Sequence, residues 1–80
     1  MKFKVEVFLK SVVLDPQGQT VQKATHSLGY RDVRSVRVGK VFLMDIETAS
    51  EEEGRVIASE LADKLLSNTV IETFEVKAVP

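Results

Sequence analysis

The chain has 80 residues, so it has room for one domain, which we expect to span residues 1–80. It has no cysteine, which excludes disulfides, thiolate zinc sites and cysteine nucleophiles. Its 11 basic and 12 acidic residues nearly cancel, which argues against a dedicated nucleic-acid binder. No apolar run approaches the roughly 20 residues of a membrane span, and the charged N-terminus is not a signal peptide. We therefore expect a cytoplasmic protein without membrane partners.

The first third of the chain predicts a strand followed by a helix. Residues 2–10 alternate between apolar and polar side chains, and this period of two is typical of a half-buried strand. Phe8 is the apolar exception on the polar side. Asp15 and Pro16 then predict a helix over residues 16–28, because aspartate caps free N–H groups and proline fits the first turn.

The middle of the chain predicts a hairpin. Residues 33–38 are rich in valine and predict a second strand, and residues 41–48 predict a third. Gly39 and Lys40 lie between them, and a glycine there can take the positive φ of a two-residue turn.

A second helix and a last strand are predicted in the remaining third. Ser50 and Glu53 match a capping box, in which the serine caps the helix and the glutamate reaches back. The helix is expected to end near Ser67 and Asn68, and residues 70–79 predict the last strand.

The order β-α-β-β-α-β predicts an α+β, ferredoxin-like two-layer sandwich, with both helices on one face of an antiparallel sheet. The other face would then be bare, and an apolar patch on an uncovered sheet usually marks a partner surface. For a small chain the simplest partner is a copy of itself, giving a dimer or a tetramer. The candidate side chains for this homodimer face are Phe8, Val41, Leu43 and Ile71.

The sequence offers no catalytic set and no metal site. His26 is the only histidine, and as a base it would need an orienting group and a nucleophile. Arg37 shares parity with the bare face, where it would either form a cross-strand ion pair or lie at an interface, and both interpretations stay open. We expect no cofactor in this chain and no nucleic-acid partner.

Three stretches go beyond the generic pattern of the fold. They read L-D-P-Q-G from residue 14, V-R-x-G-K from residue 36 and L-x-N-x-V-I-E from residue 66. Together they resemble the PurS family, the small subunit of the three-part phosphoribosylformylglycinamidine synthase, over essentially the whole chain.

The resemblance implies a function as part of a glutamine-dependent ligase in purine biosynthesis. Such a complex converts formylglycinamide ribonucleotide, glutamine and ATP, with magnesium, into formylglycinamidine ribonucleotide, glutamate, ADP and phosphate. A glutaminase subunit releases ammonia and a large synthetase subunit consumes it. The small subunit would dimerise, join the two and support ammonia transfer, without an active site of its own.

The resemblance also suggests site residues, which fall into two groups. The subunit-contact candidates are Gln17, Gly18, Arg37, Lys40 and Asn68. The residues expected to shape the motifs are Asp15, Pro16 and Gly39, which cap a helix or make a turn.

Two other functions compete with this interpretation. An ACT-like ligand-sensing dimerisation module uses a similar βαββαβ unit and would bind a free amino acid. A small acylphosphatase-like hydrolase would need an arginine in the first loop, and residues 11–18 contain none.

Overall fold

The computed structural model describes all of residues 1–80. Three strands form one antiparallel sheet with the first strand in the middle: β1 (Lys2–Leu9), β2 (Gly39–Asp45) and β3 (Glu72–Val79). Two helices connect them, α1 (Pro16–Ser27) and α2 (Glu51–Leu61), and α2 continues through a π-helical turn (Ala62–Leu66). The predicted α+β class with an antiparallel sheet and two helices is confirmed. No helix is both long and apolar enough to cross a membrane.

The core lies between β1 and α2. The alternation of β1 buries Phe3, Val5 and Val7 completely, and α2 packs on the sheet through small residues that include Gly54 and Ala58. The ring of Phe3 occupies the space that a β-carbon on Gly54 would need. The helix can therefore approach the sheet closely only with glycine at this position.

Both predicted helix starts are confirmed. Asp15 Oδ1 accepts a hydrogen bond from the Gly18 N–H at 2.9 Å, and Ser50 Oγ accepts one from the Glu53 N–H at 3.2 Å. The reciprocal half of the predicted capping box is absent, because the Glu53 carboxylate accepts instead from the Thr48 hydroxyl at 3.3 Å.

The prediction of a second strand over residues 33–38 is wrong, because this stretch has no partner in the sheet. It lies beside α1 and runs antiparallel to it. The Val33 carbonyl accepts from Gln22 Nε2 at 3.2 Å near the end of the helix, and the Val38 N–H donates to Asp15 Oδ2 at 2.8 Å at its start. Side chains of α1 and its cap thus satisfy backbone groups that a neighbouring strand would otherwise have satisfied.

The predicted hairpin turn at Gly39 and Lys40 is also wrong, because both residues are paired inside β2. Gly39 lies opposite Phe8 and Lys40 opposite Val7. The φ angle of Gly39 is not positive, and a β-carbon there would lie 2.6 Å from the Phe8 ring. The glycine therefore makes room for an aromatic ring on the neighbouring strand and does not serve a turn.

The last strand begins at Glu72, two residues later than predicted. Asn68 does not cap α2 but forms the turn that follows it, since its Oδ1 accepts from the Val70 N–H at 3.1 Å and its carbonyl accepts from Ile71 and Glu72. Val70 was predicted inside the strand, yet its side chain is 78% exposed in this turn.

The two helices differ in how they relate to the sheet. α2 packs on β1 and β3, whereas α1 makes almost no contact with any strand. We call residues 11–38 the arm; it joins the sheet where β1 ends and β2 begins. The molecule measures 50 × 28 × 13 Å and its radius of gyration is 15.8 Å, against roughly 11.6 Å for a compact chain of this length. The prediction that both helices cover one sheet face therefore holds for α2 only.

Candidate functional site at the base of the arm

The three motif stretches meet where the arm joins the sheet. A cleft of about 250 Å³ lies at this junction. Its lining includes one residue of the strand β3 and four of the residues singled out from the sequence: Glu72, and Asp15, Gln17, Gly39 and Lys40. Residues that are far apart in the sequence therefore form a single site, which we call the arm base.

Asp15 holds the arm base together. Its side chain is only 5% exposed, and its two carboxylate oxygens accept from the backbone N–H groups of Gly18 and Val38 at 2.9 and 2.8 Å. These hydrogen bonds, that from Val38 first, lower the pKa of Asp15, and the Arg37 guanidinium, 3.9 Å away, lowers it slightly further. One carboxylate thus caps α1 and fixes residues 36–38 beside it.

We expect Asp15→Asn to lower the free energy of unfolding at neutral pH. The stability of this variant should also change less than that of wild type as the pH falls. A carboxylate whose folded pKa is lowered stabilises the fold fully above its ordinary value of 3.8 and loses that contribution as pH falls through the lower folded pKa. The two N–H groups use different oxygens of the carboxylate; in asparagine an NH2 group replaces one of those oxygens, so one N–H group loses its acceptor. Urea unfolding at fixed protein concentration between pH 7 and pH 2 measures this.

Asp32→Asn, at an exposed turn position, is the control for the loss of one carboxylate. Parallel acid profiles for wild type and Asp15→Asn would contradict this assignment of Asp15.

Arg37 lies at the arm base and not on the open sheet face, so its predicted place on that face is wrong. Its guanidinium donates to the carbonyls of Leu9 and Lys10 at 3.2 and 3.0 Å, and to that of Val13 at 3.4 Å. The prediction assumed that residues 33–38 were a strand of the sheet, and without that strand the parity argument does not apply. Arg37 ties the two chain segments of the arm base together.

Glu72 is the last residue of the third motif and was not predicted as a site residue. Its carboxylate accepts from the Asn68 N–H at 2.7 Å and lies 3.8 Å from Lys40 Nζ. Its side chain is 14% exposed, whereas that of Lys40 is 56% exposed. Gln17 is also exposed, and its side chain makes no hydrogen bond within the chain. Lys40 and Gln17 can therefore reach a partner while Glu72 and Asn68 shape the site.

The uncovered sheet face carries three of the four apolar candidates predicted for it, Phe8, Val41 and Leu43, whereas Ile71 lies in the turn just before β3. All four are exposed, and their role in self-association stays a prediction. Between them lies an ion-pair network, in which the carboxylate of one β1 glutamate lies 3.4 Å from each of two lysines, Lys4 and Lys77. Hydrogen bonds from Lys4 and then Lys77 lower the pKa of that glutamate, Glu6.

The only histidine has a structural place in the arm. His26 Nε2 lies 2.8 Å from the Val33 carbonyl, between α1 and the stretch beside it. No group of three acidic, histidine or cysteine side chains could hold a metal ion. The arm base thus combines exposed polar side chains with hydrogen bonds between side chains and backbone groups.

Comparisons with known proteins agree on one family. The family model described as PurS: Phosphoribosylformylglycinamidine (FGAM) synthase matches residues 2–80. Phosphoribosylformylglycinamidine synthase subunit PurS of Bacillus subtilis is 49% identical over 73 residues, which are 91% of this chain and 86% of that protein.

Solved structures support the same relationship. The crystal structure of PurS from Methanocaldococcus jannaschii, one of the subunits of formylglycinamide ribonucleotide amidotransferase, superposes with a TM-score of 0.86 at 37% identity, covering 95% of this chain and 92% of that one. A chain in the structure of PurLQS from Thermotoga maritima gives a TM-score of 0.89 at 29% identity, covering 98% and 95%.

Proposed function

Because the chain belongs to the PurS family of phosphoribosylformylglycinamidine synthase subunits, we propose that it bridges the glutaminase and the large synthetase subunits of that enzyme. It is a subunit of a ligase complex of purine biosynthesis. In our proposal it holds the two larger subunits in register and supports the passage of ammonia between them.

The convergence of the three motif stretches at the arm base supports this proposal most directly. The polar groups of Asp15, Arg37 and Glu72 bond to other groups of the chain. The side chains of Gln17 and Lys40 are exposed, and that of Lys40 is 56% exposed even though its ammonium group lies 3.8 Å from Glu72. Internal hydrogen bonds therefore fix the shape of the site, and polar side chains lie at its rim. This combination suits docking to another protein.

The chemistry explains why a bridge would be useful. Ammonia released into bulk water is protonated and lost as a nucleophile, so a complex gains when its two active sites are held in register and water is kept out. We propose that the chain binds no cofactor itself and that ATP, magnesium and glutamine are bound by the larger subunits. We further propose that it works in the cytoplasm, with no nucleic-acid or membrane partner.

We also propose that the chain self-associates as a dimer or a tetramer. The uncovered sheet face with its exposed apolar side chains supports this, and the low net charge of −1 gives little self-repulsion. Membership of the PurS family favours the bridging function over the ACT-like alternative.

A double variant of the arm base tests the bridging proposal. We expect Gln17→Ala with Lys40→Ala to weaken assembly with the two larger subunits roughly tenfold or more, which corresponds to about 1.4 kcal/mol of binding free energy. Sedimentation of the three proteins, with glutamine and magnesium-ADP present, measures the affinity.

The matched control is Gln19→Ala with Lys23→Ala, which removes the same side chains from exposed positions of α1. Circular dichroism establishes that both variants are folded. If the two double variants bound the larger subunits with equal affinity, the proposal that the arm base lies in the interface would be contradicted.

A further inference from the structure

A bridge between two proteins needs two contact surfaces, and the arm base accounts for one of them. The opposite end of the arm, residues 28–34, has the features of a second, and we call this stretch the arm tip. The helix α1 separates the two ends, and its 12 residues span about 18 Å. The two ends of the arm can therefore contact different proteins.

The arm tip begins with a tightly bonded turn. Gly29 follows α1 with a φ angle of 98°. Its N–H donates to the His26 carbonyl, and the N–H of Tyr30 donates to the Thr25 carbonyl, both at 3.0 Å. This is the Schellman motif, in which a left-handed glycine closes the last turn of a helix. The chain leaves α1 in a defined direction as a result.

The returning chain is tied to the same helix. The Val33 carbonyl lies 2.8 Å from His26 Nε2 and accepts from Gln22 Nε2 at 3.2 Å. Gln22 also donates to the Arg34 carbonyl. Both ends of the turn are thus held by α1, so its side chains can bind a partner with little further loss of conformational entropy.

The side chains of the arm tip are of the types that dominate protein interfaces. Tyr30, the only tyrosine of the chain, is 66% exposed, and Leu28 is 76% exposed. Arg31 and Arg34 are exposed, and they are the two arginines whose side chains form neither an ion pair nor a hydrogen bond within the chain. Tyrosine and arginine are enriched at interfaces and among the residues that contribute most of the binding energy.

The charge of the arm indicates the chemistry of this partner. The arm has four basic and two acidic side chains, a net charge of +2, in a chain whose net charge is −1. Within the arm tip, two arginines outnumber one acidic residue, Asp32. A free guanidinium group binds a carboxylate through two parallel hydrogen bonds. An acidic surface with an apolar recess therefore complements the arm tip.

We propose that the arm tip docks on an acidic surface of one of the two larger subunits, while the arm base contacts the other. This inference deepens the bridging function proposed above and rests on it. Tyr30 and Leu28 enter an apolar recess, and the guanidinium groups of Arg31 and Arg34 pair with carboxylates around it. The length of α1 then sets the distance between the two contacts.

Removal of the two free arginines tests this docking. Arg31→Ala with Arg34→Ala is compared with Lys2→Ala with Lys64→Ala, which removes two positive charges from exposed positions that also form no ion pair. We expect the arginine variant to bind one larger subunit roughly tenfold more weakly or worse, with a smaller difference at high salt. The lysine variant should bind nearly as wild type does. The double variant of the arm base should weaken binding of the other larger subunit. Sedimentation against each larger subunit, with glutamine and magnesium-ADP present, measures these affinities.

Cross-linking in the assembled complex locates the partner surface directly. The chain has no cysteine, so Asp32→Cys, at an exposed position of the arm tip, can be labelled alone with a photo-reactive maleimide. We expect the label to attach to the larger subunit that the arginine variant binds weakly, in a segment rich in acidic residues. Circular dichroism establishes that each variant is folded.

Three results would overturn this docking and leave the bridging function intact. The first is equal affinity of the arginine and lysine variants for both larger subunits. The second is attachment of the label only to another copy of the chain or to nucleic acid, which would assign the arm tip to that partner. The third is weaker binding of one and the same subunit by the arm-tip and arm-base variants. If the wild-type chain bound neither larger subunit, the bridging function itself would be contradicted.

Discussion

Replacement of Phe3 by alanine is expected to remove a large share of the free energy of unfolding. The ring is fully buried between β1 and α2, and it fills the space beside Gly54. Truncation of a buried phenylalanine costs about 3–5 kcal/mol, while a chain of 80 residues has a total stability of roughly 4–12 kcal/mol. One side chain therefore accounts for a large share of the stability, because the core is small.

Urea unfolding followed by circular dichroism measures this loss, at one fixed protein concentration because self-association would add stability. Phe8→Ala is the matched control, since Phe8 is the same residue type on the same strand but on the uncovered face, where it is 39% exposed. A loss for Phe3→Ala no larger than for Phe8→Ala would contradict the placement of the core.

Replacement of Gly18 by alanine is expected to loosen the arm base. A β-carbon at this position would collide with the Val36 carbonyl oxygen and lie 3.0 Å from Asp15 Oδ2. Alanine normally favours a helix by about 1 kcal/mol over glycine, so a net loss of stability isolates the collision. We expect a loss of about 1–3 kcal/mol, as for other overpacked sites.

The measurement is the free energy of unfolding together with assembly with the larger subunits. Gln19→Ala, at the next position of the same helix and exposed, is the control. If Gly18→Ala proved more stable than wild type, helix propensity would outweigh the collision, and residues 36–38 would not be packed against α1 as described.

Local signals predicted the parts of the fold that depend on neighbours in sequence. Alternation identified β1, and side-chain chemistry identified both helix starts, because Asp15 and Ser50 act on groups three residues away. The hairpin at Gly39 was predicted wrongly because a glycine has more than one use. Here it accommodates the ring of Phe8, which lies 31 positions earlier, and no local pattern reports such a contact.

The arm could not be predicted for a related reason. Residues 33–38 have the composition of a strand, but Gln22, His26 and Asp15 satisfy their backbone groups with side chains. Periodicity reports which face of a segment is apolar, not what satisfies its hydrogen bonds. The three valines of this stretch are partly buried although the stretch has no partner in the sheet.

The candidate site was found in part. The motif stretches pointed to Gln17 and Lys40, and the structure brings them into one cleft. Arg37 was placed on the wrong surface because its predicted position depended on the missing hairpin. Glu72 was passed over because an acidic residue at the start of a strand carries no local signal, although its contacts with Asn68 and Lys40 organise the site.

The most direct test of the bridging function compares two nitrogen sources. Product formation by the two larger subunits is measured with and without this chain, once with glutamine and once with ammonium chloride at alkaline pH. A bridge is needed only when ammonia must travel between subunits, so we expect the chain to be required with glutamine and dispensable with free ammonia. Equal glutamine-driven synthesis in its absence would contradict the account.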